Sequence, residues 1–122
     1  MYKLLVAGLL AVSVLPAQAQ TAPDCVVPAK PDLPINGAIL SAEELDVAAD
    51  KVTRYSKASR TYQVCLDEVI TKPEKHSRDE WRAALKAYNA TAPSVEEVWD
   101  TYQKLSDDWV SAHLASKPNT HK

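Results

Sequence analysis

Two cysteines are the residues of this chain with the clearest potential for chemistry. Cys25 lies in the proline-studded stretch DCVVPAKPDLPING, and Cys65 lies in YQVCLDE, in the middle of a helical pattern; the sequence contains no other cysteine. Two cysteines of a small domain usually pair in an oxidising compartment. We therefore predict a structural disulfide between Cys25 and Cys65, with a reactive Cys65 thiol or an intermolecular bridge as the alternatives.

The acidic residues lack the arrangement that general acid–base catalysis needs. Such catalysis uses two carboxylates that face each other, whereas consecutive residues of a helix point about 100° apart. The chain has three consecutive acidic pairs: Glu43-Glu44, Glu96-Glu97 and Asp107-Asp108. The first two lie at predicted helix N-termini, where the helix dipole favours negative charge. We interpret the pairs as capping groups rather than as an active site.

The histidines do not have the spacing of metal ligands. His76, His113 and His121 occur in a turn, near a helix end and in a tail. A pairing of His76 with Glu80, one helical turn away, is interpreted as a surface contact. The sequence has no cysteine–histidine cluster, no glycine-rich phosphate loop and no G-x-S-x-G motif. It therefore predicts no metal, no cofactor and no catalytic residue.

The start of the chain indicates export. Lys3 precedes the apolar stretch LLVAGLLAVSVL, which is too short to span a membrane comfortably, and Ala17-Gln18-Ala19 fits a signal-peptidase site. We predict a signal peptide at residues 1–19, a periplasmic or secreted protein and no stable membrane insertion after cleavage. An uncleaved anchor is the alternative.

Composition favours one small helical domain. The chain has 122 residues, a formal net charge of −2 and two glycines. The weak negative charge argues against a nucleic-acid or anionic-membrane surface. Few glycines argue against a sheet, whose tight turns and bulges need them.

Prolines and capping residues divide the chain into an arm and helices. Residues 20–40 carry four prolines and are predicted to be an extended arm that ends at the turn Asn36-Gly37. Ser41 and Glu44 form a capping box that begins a helix, and Lys72-Pro73 ends it. Alternating steps of three and four define the apolar stripe of this helix: Leu45, Ala48, Val52, Tyr55, Ser59, Tyr62, Leu66 and Val69.

A second helical stretch returns along the first. Ser77 and Glu80 form a second capping box, and Ser94 with Glu97 offers a third just after Pro93. Its stripe comprises Trp81, Ala84, Leu85 and Tyr88, then Val95, Val98, Tyr102, Leu105, Trp109 and Ala112. The predicted fold is all-α: an antiparallel helical hairpin over residues 41–116, with a second arm kinked or split at Pro93 (three helices). A polar tail follows at residues 117–122.

The length of the arm agrees with the predicted disulfide. The 16 residues from Cys25 to Ser41 reach roughly 50 Å when extended, and the helix from Ser41 to Cys65 measures roughly 36 Å. The arm can therefore run back along the first helix to Cys65. Closing this loop should contribute about 4 kcal/mol to stability.

The aromatic residues are candidates for a core or for an interface. The chain has three Trp, five Tyr and no Phe, and Trp and Tyr combine an apolar ring with a polar group. Core packing is the favoured interpretation. The candidate interface residues are Trp81, Trp99, Tyr102 and Trp109, because one helix cannot cover so wide an apolar face.

Three stretches follow one another in a recognisable order: CVVPAKPDLPINGAILSAEEL, VTRYSKASRTYQVCLDE and KAYNA. Their order and spacing, from Cys25 to about Tyr102, resemble those of a family of uncharacterised small exported helical proteins of alphaproteobacteria. The resemblance implies export and two linked cysteines, and it transfers no catalytic residue. Asn36 departs from the pattern because an acidic residue usually precedes this glycine. Pro93 departs because it interrupts a helix that tends to run on.

These observations predict an exported interaction or binding module of the periplasm. A homodimer or a complex with another envelope protein would bury the surplus apolar surface. The alternatives are a thiol-redox enzyme, a carboxylate enzyme and a ligand-sequestering envelope protein.

Overall fold

A computed structural model describes residues 25–114 of the chain as two long α-helices and an extended arm. The helices are α1 (Ala42–Thr71) and α2 (Arg78–Leu114), and two short 3-10 turns occupy Gly37–Ile39 and Pro73–Lys75. These residues contain no strand, so the predicted all-α class is confirmed. The predicted signal peptide (1–19), the start of the arm (20–24) and the polar tail (117–122) lie outside the described residues.

Helix α1 begins and ends where its sequence signals indicate. The Ser41 hydroxyl accepts a hydrogen bond from the Glu44 N–H at 3.1 Å, and the Ser41 N–H donates to the Glu44 carboxylate at 3.4 Å. This reciprocal pair satisfies two N–H groups that the first helical turn leaves without partners. The helix ends at Thr71, two residues before Pro73. Both predicted boundaries are confirmed.

The predicted stripe of α1 forms its buried face. Seven of its eight members are buried: Ala48, Val52, Tyr55, Ser59, Tyr62, Leu66 and Val69. Leu45, the first member, is half-buried. Because the stripe repeats every seven residues, it keeps one side of a long helix against its neighbours.

Helix α2 is continuous through Pro93, and the predicted third helix is not found. The Ser77 hydroxyl accepts from the Glu80 N–H at 3.1 Å at its start, whereas Ser94 and Glu97 lie inside the helix and do not begin one. Pro93 is exposed, as is Asn89, whose carbonyl loses its usual N–H donor. Water can hydrogen-bond to that exposed carbonyl.

The apolar register explains why the helix does not break. The buried residues of α2 are Ala84, Thr91, Val98 and Leu105, which follow one another at intervals of seven. This interval is the same before and after Pro93, so both halves pack through one continuous face. A turn at Pro93 would rotate the second half away from α1. Packing on both sides therefore outweighs the local preference of proline.

The core between the helices consists of two apolar clusters. One contains Tyr62, Leu66, Val69 and Ala84, and the other contains Val52, Tyr55 and Val98. The end of α1 thus meets the start of α2, and residues earlier in α1 meet residues later in α2.

The arm lies against both helices. Leu33 packs against the Val52 cluster, and Cys25 packs against the Leu66 cluster. At the turn, Gly37 is so close to α2 that an added Cβ would overlap the Leu105 backbone. Glycine is therefore required here for close approach. Neither of the helices has a window long and apolar enough to cross a membrane.

Candidate interaction surfaces

The two cysteines form a disulfide that fixes the arm to α1. Cys25 and Cys65 are bonded, with a Cα–Cα distance of 5.6 Å and a sequence separation of 40 residues. The predicted pairing is confirmed. Both sulfurs are engaged and no free cysteine remains, so the alternative of a reactive Cys65 thiol is not found in this state.

The acidic pairs act in caps and surface ion pairs. Glu44 caps α1, Glu97 contacts the Lys30 ammonium at 3.1 Å, and Asp108 contacts the Lys104 ammonium at 3.1 Å. Each contact uses one member of a pair. Among residues 25–114, these carboxylates do not converge on a common cleft.

The histidine contact predicted at the turn is present. The Nδ1 atom of His76 lies 3.2 Å from a Glu80 carboxylate oxygen, one turn along the helix. The part of the chain that the structure describes contains no group of three or more His, Cys, Asp or Glu side chains able to hold a metal ion.

Each tryptophan donates its indole N–H to a different element. Trp81 donates to the Ile70 carbonyl at 3.0 Å and thereby joins α2 to the end of α1. Trp109 donates to the Leu40 carbonyl at 3.0 Å and joins α2 to the turn after the arm. Both rings are half-buried. These two candidate interface residues therefore contribute to the fold through their polar groups.

Trp99 is the most exposed of the three tryptophans. Its indole N–H donates to the Ser56 hydroxyl on α1 at 2.8 Å, and its ring meets Tyr102 edge to face at a centroid distance of 6.1 Å. It remains 42% exposed. Ser56 is an acceptor that sequence reasoning did not identify. Its position, three residues before the stripe member Ser59, was the available signal.

Partly exposed large side chains form a continuous surface along α2. We name this surface the aromatic face; it comprises Trp81, Leu85, Tyr88, Val95, Trp99 and Tyr102. Tyr88 and Trp99 are exposed, and the other four are half-buried. Successive members are three or four residues apart, except Tyr88 and Val95, which are seven residues or two helical turns apart. This spacing places all six on one side of the helix.

The arm lies on the other side of α2 from the aromatic face. Together with arm residues Val27 and Pro28, the α2 residues Ala87, Ala90 and Ser94 line a cleft of about 190 Å³. Ala90 and Trp99 are nine residues apart, which corresponds to a rotation of about 180° around the helix. The arm therefore does not cover the aromatic face.

Further clefts flank the arm on its α1 side. One of about 410 Å³ lies between residues 28–32 and the α1 residues Lys51, Arg54, Tyr55 and Ala58. Another of about 490 Å³ lies between Pro34 and the first turns of α1. Each of these clefts is a space that a small ligand could enter.

Comparison with known proteins does not add to this description: no family model, no curated protein and no solved structure matches the chain.

Proposed function

We propose that this chain is an exported helical interaction module of the periplasm or the extracellular space, and that its aromatic face binds a second copy. In this proposal, α1 and α2 form an antiparallel helical hairpin, and the arm lies across one side of it. The apolar, positively charged start of the sequence and the Cys25–Cys65 disulfide support export, because such bonds persist in oxidising compartments.

The observation that carries the proposal is the exposure of aromatic side chains on the side that the arm leaves open. Tyr88 is 36% exposed and Trp99 is 42% exposed. Aromatic residues are enriched in the buried centres of protein interfaces, where large rings exclude water. A face of this width exceeds what one neighbouring helix covers.

The two helices are complementary in size on that open side. In the middle of that side, the half-buried α1 residues Ala49, Ser56 and Gln63 are small or flexible, whereas α2 contributes large rings. The larger Leu45 and Ile70 lie towards the two ends of α1. A two-fold axis would place α2 of each copy over α1 of the other. Large rings would then meet small side chains at both contacts. A second copy is thus a self-complementary partner and completes a four-helix bundle.

Sedimentation of the mature oxidised chain at micromolar and higher concentrations tests this proposal. We expect the parent to dimerise and Tyr88→Lys to weaken dimerisation at least tenfold, because a charge would be buried. Val26→Lys is the matched control: Val26 is 82% exposed and belongs to the arm, which lies on the other side of α2 from the aromatic face. A parent that stays monomeric when concentrated would refute self-association.

Ligand sequestration is a second candidate function, favoured by the clefts beside the arm. Its test is separate, because small apolar or cationic probes should then raise the thermal midpoint of the monomer. No comparable observation favours a thiol-redox or carboxylate enzyme. The cysteines are joined to each other, and the acidic groups do not converge among the described residues.

A further inference from the structure

Every third residue of the arm is partly buried against the helices. Its half-buried positions include Cys25, Pro28, Pro31 and Pro34, and the residues between them are exposed apart from Leu33. Three residues per turn is the period of the polyproline II helix, which has no internal hydrogen bonds. Residues 25–35 likewise form no backbone–backbone hydrogen bond within the described part of the chain. The arm thus contacts the helices in the manner of a bound proline-rich peptide.

The surface beneath the arm has the character of a proline-binding groove. Tyr55 and Tyr62 share a cleft with Pro28, and Tyr55 shares a second cleft with Pro28 and Pro31. The remaining lining from the helices combines small residues, chiefly Ala58, Ala87 and Ala90, with Lys51 and Arg54 at the α1 edge. Aromatic-lined grooves recognise proline-rich segments because such segments are already extended and lose little entropy on binding. We name this surface the proline groove.

Charged side chains of the two helices contact the arm at both edges of the proline groove. The Lys30 ammonium contacts the Glu97 carboxylate of α2 at 3.1 Å. On the other edge, the Lys51 ammonium of α1 donates to the Asp32 carbonyl at 3.2 Å. A lysine before the second proline of a ligand would therefore repeat the Glu97 contact, and the backbone carbonyl after that proline would accept from Lys51 whatever residue stands there.

We propose that the proline groove is a recognition site for extended Pro-x-x-Pro segments of another protein, and that the arm is its resident ligand. The arm is joined to α1 by the chain itself at one end, and the Cys25–Cys65 disulfide holds its other end in place. This double attachment gives the arm a high effective concentration, which excludes competing segments. A dithiol can open this tether: it is oxidised to its own disulfide, and its two electrons and two protons convert Cys25 and Cys65 to thiols. The site is independent of the proposed dimer, because it lies on the opposite side of α2.

Fluorescence anisotropy with a labelled peptide tests the site. The probe is the sequence of residues 24–36 with Cys25→Ser, and the control peptide carries alanine in place of all three of its prolines. The protein is the mature chain with Cys25→Ser, Pro28→Ala and Pro31→Ala, which weakens the resident arm and leaves the groove intact. We expect the proline peptide to bind at least tenfold more tightly than the alanine peptide. The oxidised parent should bind it at least tenfold more weakly than this variant does.

A charge exchange locates the peptide in the groove. Glu97→Lys should weaken binding two- to fivefold, as expected for an exposed ion pair, and Lys30→Glu in the peptide should restore it. Glu96→Lys is the matched control and should have no effect, because the exposed Glu96 lies about 100° around α2 from Glu97, which contacts the arm.

Equal affinity for the proline and alanine peptides, or equal binding by the oxidised parent, would overturn the proposal. If circular dichroism shows the triple variant to be unfolded, the parent reduced with dithiothreitol replaces it, and the same comparisons decide.

Discussion

Replacing Pro93 by alanine should stabilise the protein without adding helix. In α2, Pro93 is exposed and lies within a helix that continues on both sides. The substitution removes no buried contact. It restores an N–H donor for the Asn89 carbonyl and removes the ring from the preceding turn.

The size of the effect follows from where the proline lies. Proline is about 3 kcal/mol less favourable than alanine inside a helix. Because Asn89 is exposed and its carbonyl can bond water, part of that penalty is already relieved in the parent. We therefore expect Pro93→Ala to raise the free energy of unfolding by about 2 kcal/mol, equivalent to roughly 10 °C in the midpoint for a chain of this size.

Urea unfolding followed by far-ultraviolet circular dichroism measures both the free energy of unfolding and the helix content of the native state. The midpoint should rise with an unchanged slope, since the surface exposed on unfolding is the same, and the native helical signal should stay constant. Glu96→Ala is the matched control on the same helix and should change stability by less than about 0.5 kcal/mol. A native signal that grows by several residues of helix would mean that α2 is broken in the parent. A loss of stability would mean that packing requires the proline.

Three further substitutions test the arm, the turn and the polar centre of α1. Cys25→Ser should lower the free energy of unfolding by about 4 kcal/mol, because the disulfide closes a loop of 40 residues. The same substitution should make the arm sensitive to thermolysin, and unchanged resistance to this protease would contradict a docked arm. Gly37→Ala should lower the free energy of unfolding by about 1–3 kcal/mol, because the new Cβ overlaps the Leu105 backbone. An unchanged free energy in urea unfolding would mean that the turn can move away from α2 without cost. Ser59→Ala should raise the free energy of unfolding by about 1 kcal/mol in the same assay, since the Ser59 hydroxyl is buried without a hydrogen-bond partner among the described residues. A lower free energy of unfolding would show that this hydroxyl is hydrogen-bonded.

The sequence predicted those features that depend on short-range chemistry. Ser41 and Glu44 are three residues apart, so their mutual hydrogen bonds could be inferred without knowledge of the rest of the fold. The buried stripe of α1 was predictable because its period is a property of one helix. The disulfide needed only two cysteines, an arm of sufficient length and an oxidising compartment.

The continuity of α2 was predictable only from a longer pattern. Pro93 and the sequence Ser94 to Glu97 resemble the start of a helix when read locally. The repeat of Ala84, Thr91, Val98 and Leu105 continues across the proline, but it is visible only if Thr91 is counted as a core residue. Its hydroxyl bonds to the Ala87 carbonyl at 2.8 Å, which allows it to be buried.

The candidate interface could be predicted only in part, because a tryptophan can either bind a partner or hold the fold together through a hydrogen bond of its indole N–H. The polar atoms of Trp81 and Trp109 bond to carbonyls that no sequence pattern identifies. Which rings stay exposed therefore depends on contacts between distant parts of the chain. Tyr88 and Trp99 emerge as the exposed members only from the structure.

Under the two proposals, the sides of the helix pair differ in the shape of partner that they would accept. On the side of the arm, Ala58, Ala87 and Ala90 leave a shallow surface, and an extended chain with prolines every three residues can approach it closely. On the aromatic face, large rings of α2 rise beside small residues of α1. An extended chain would leave space between those rings, whereas the side chains of a helix interdigitate with them through ridges and grooves. The open side therefore favours a helical partner, and the α1–α2 pair of a second copy has that form.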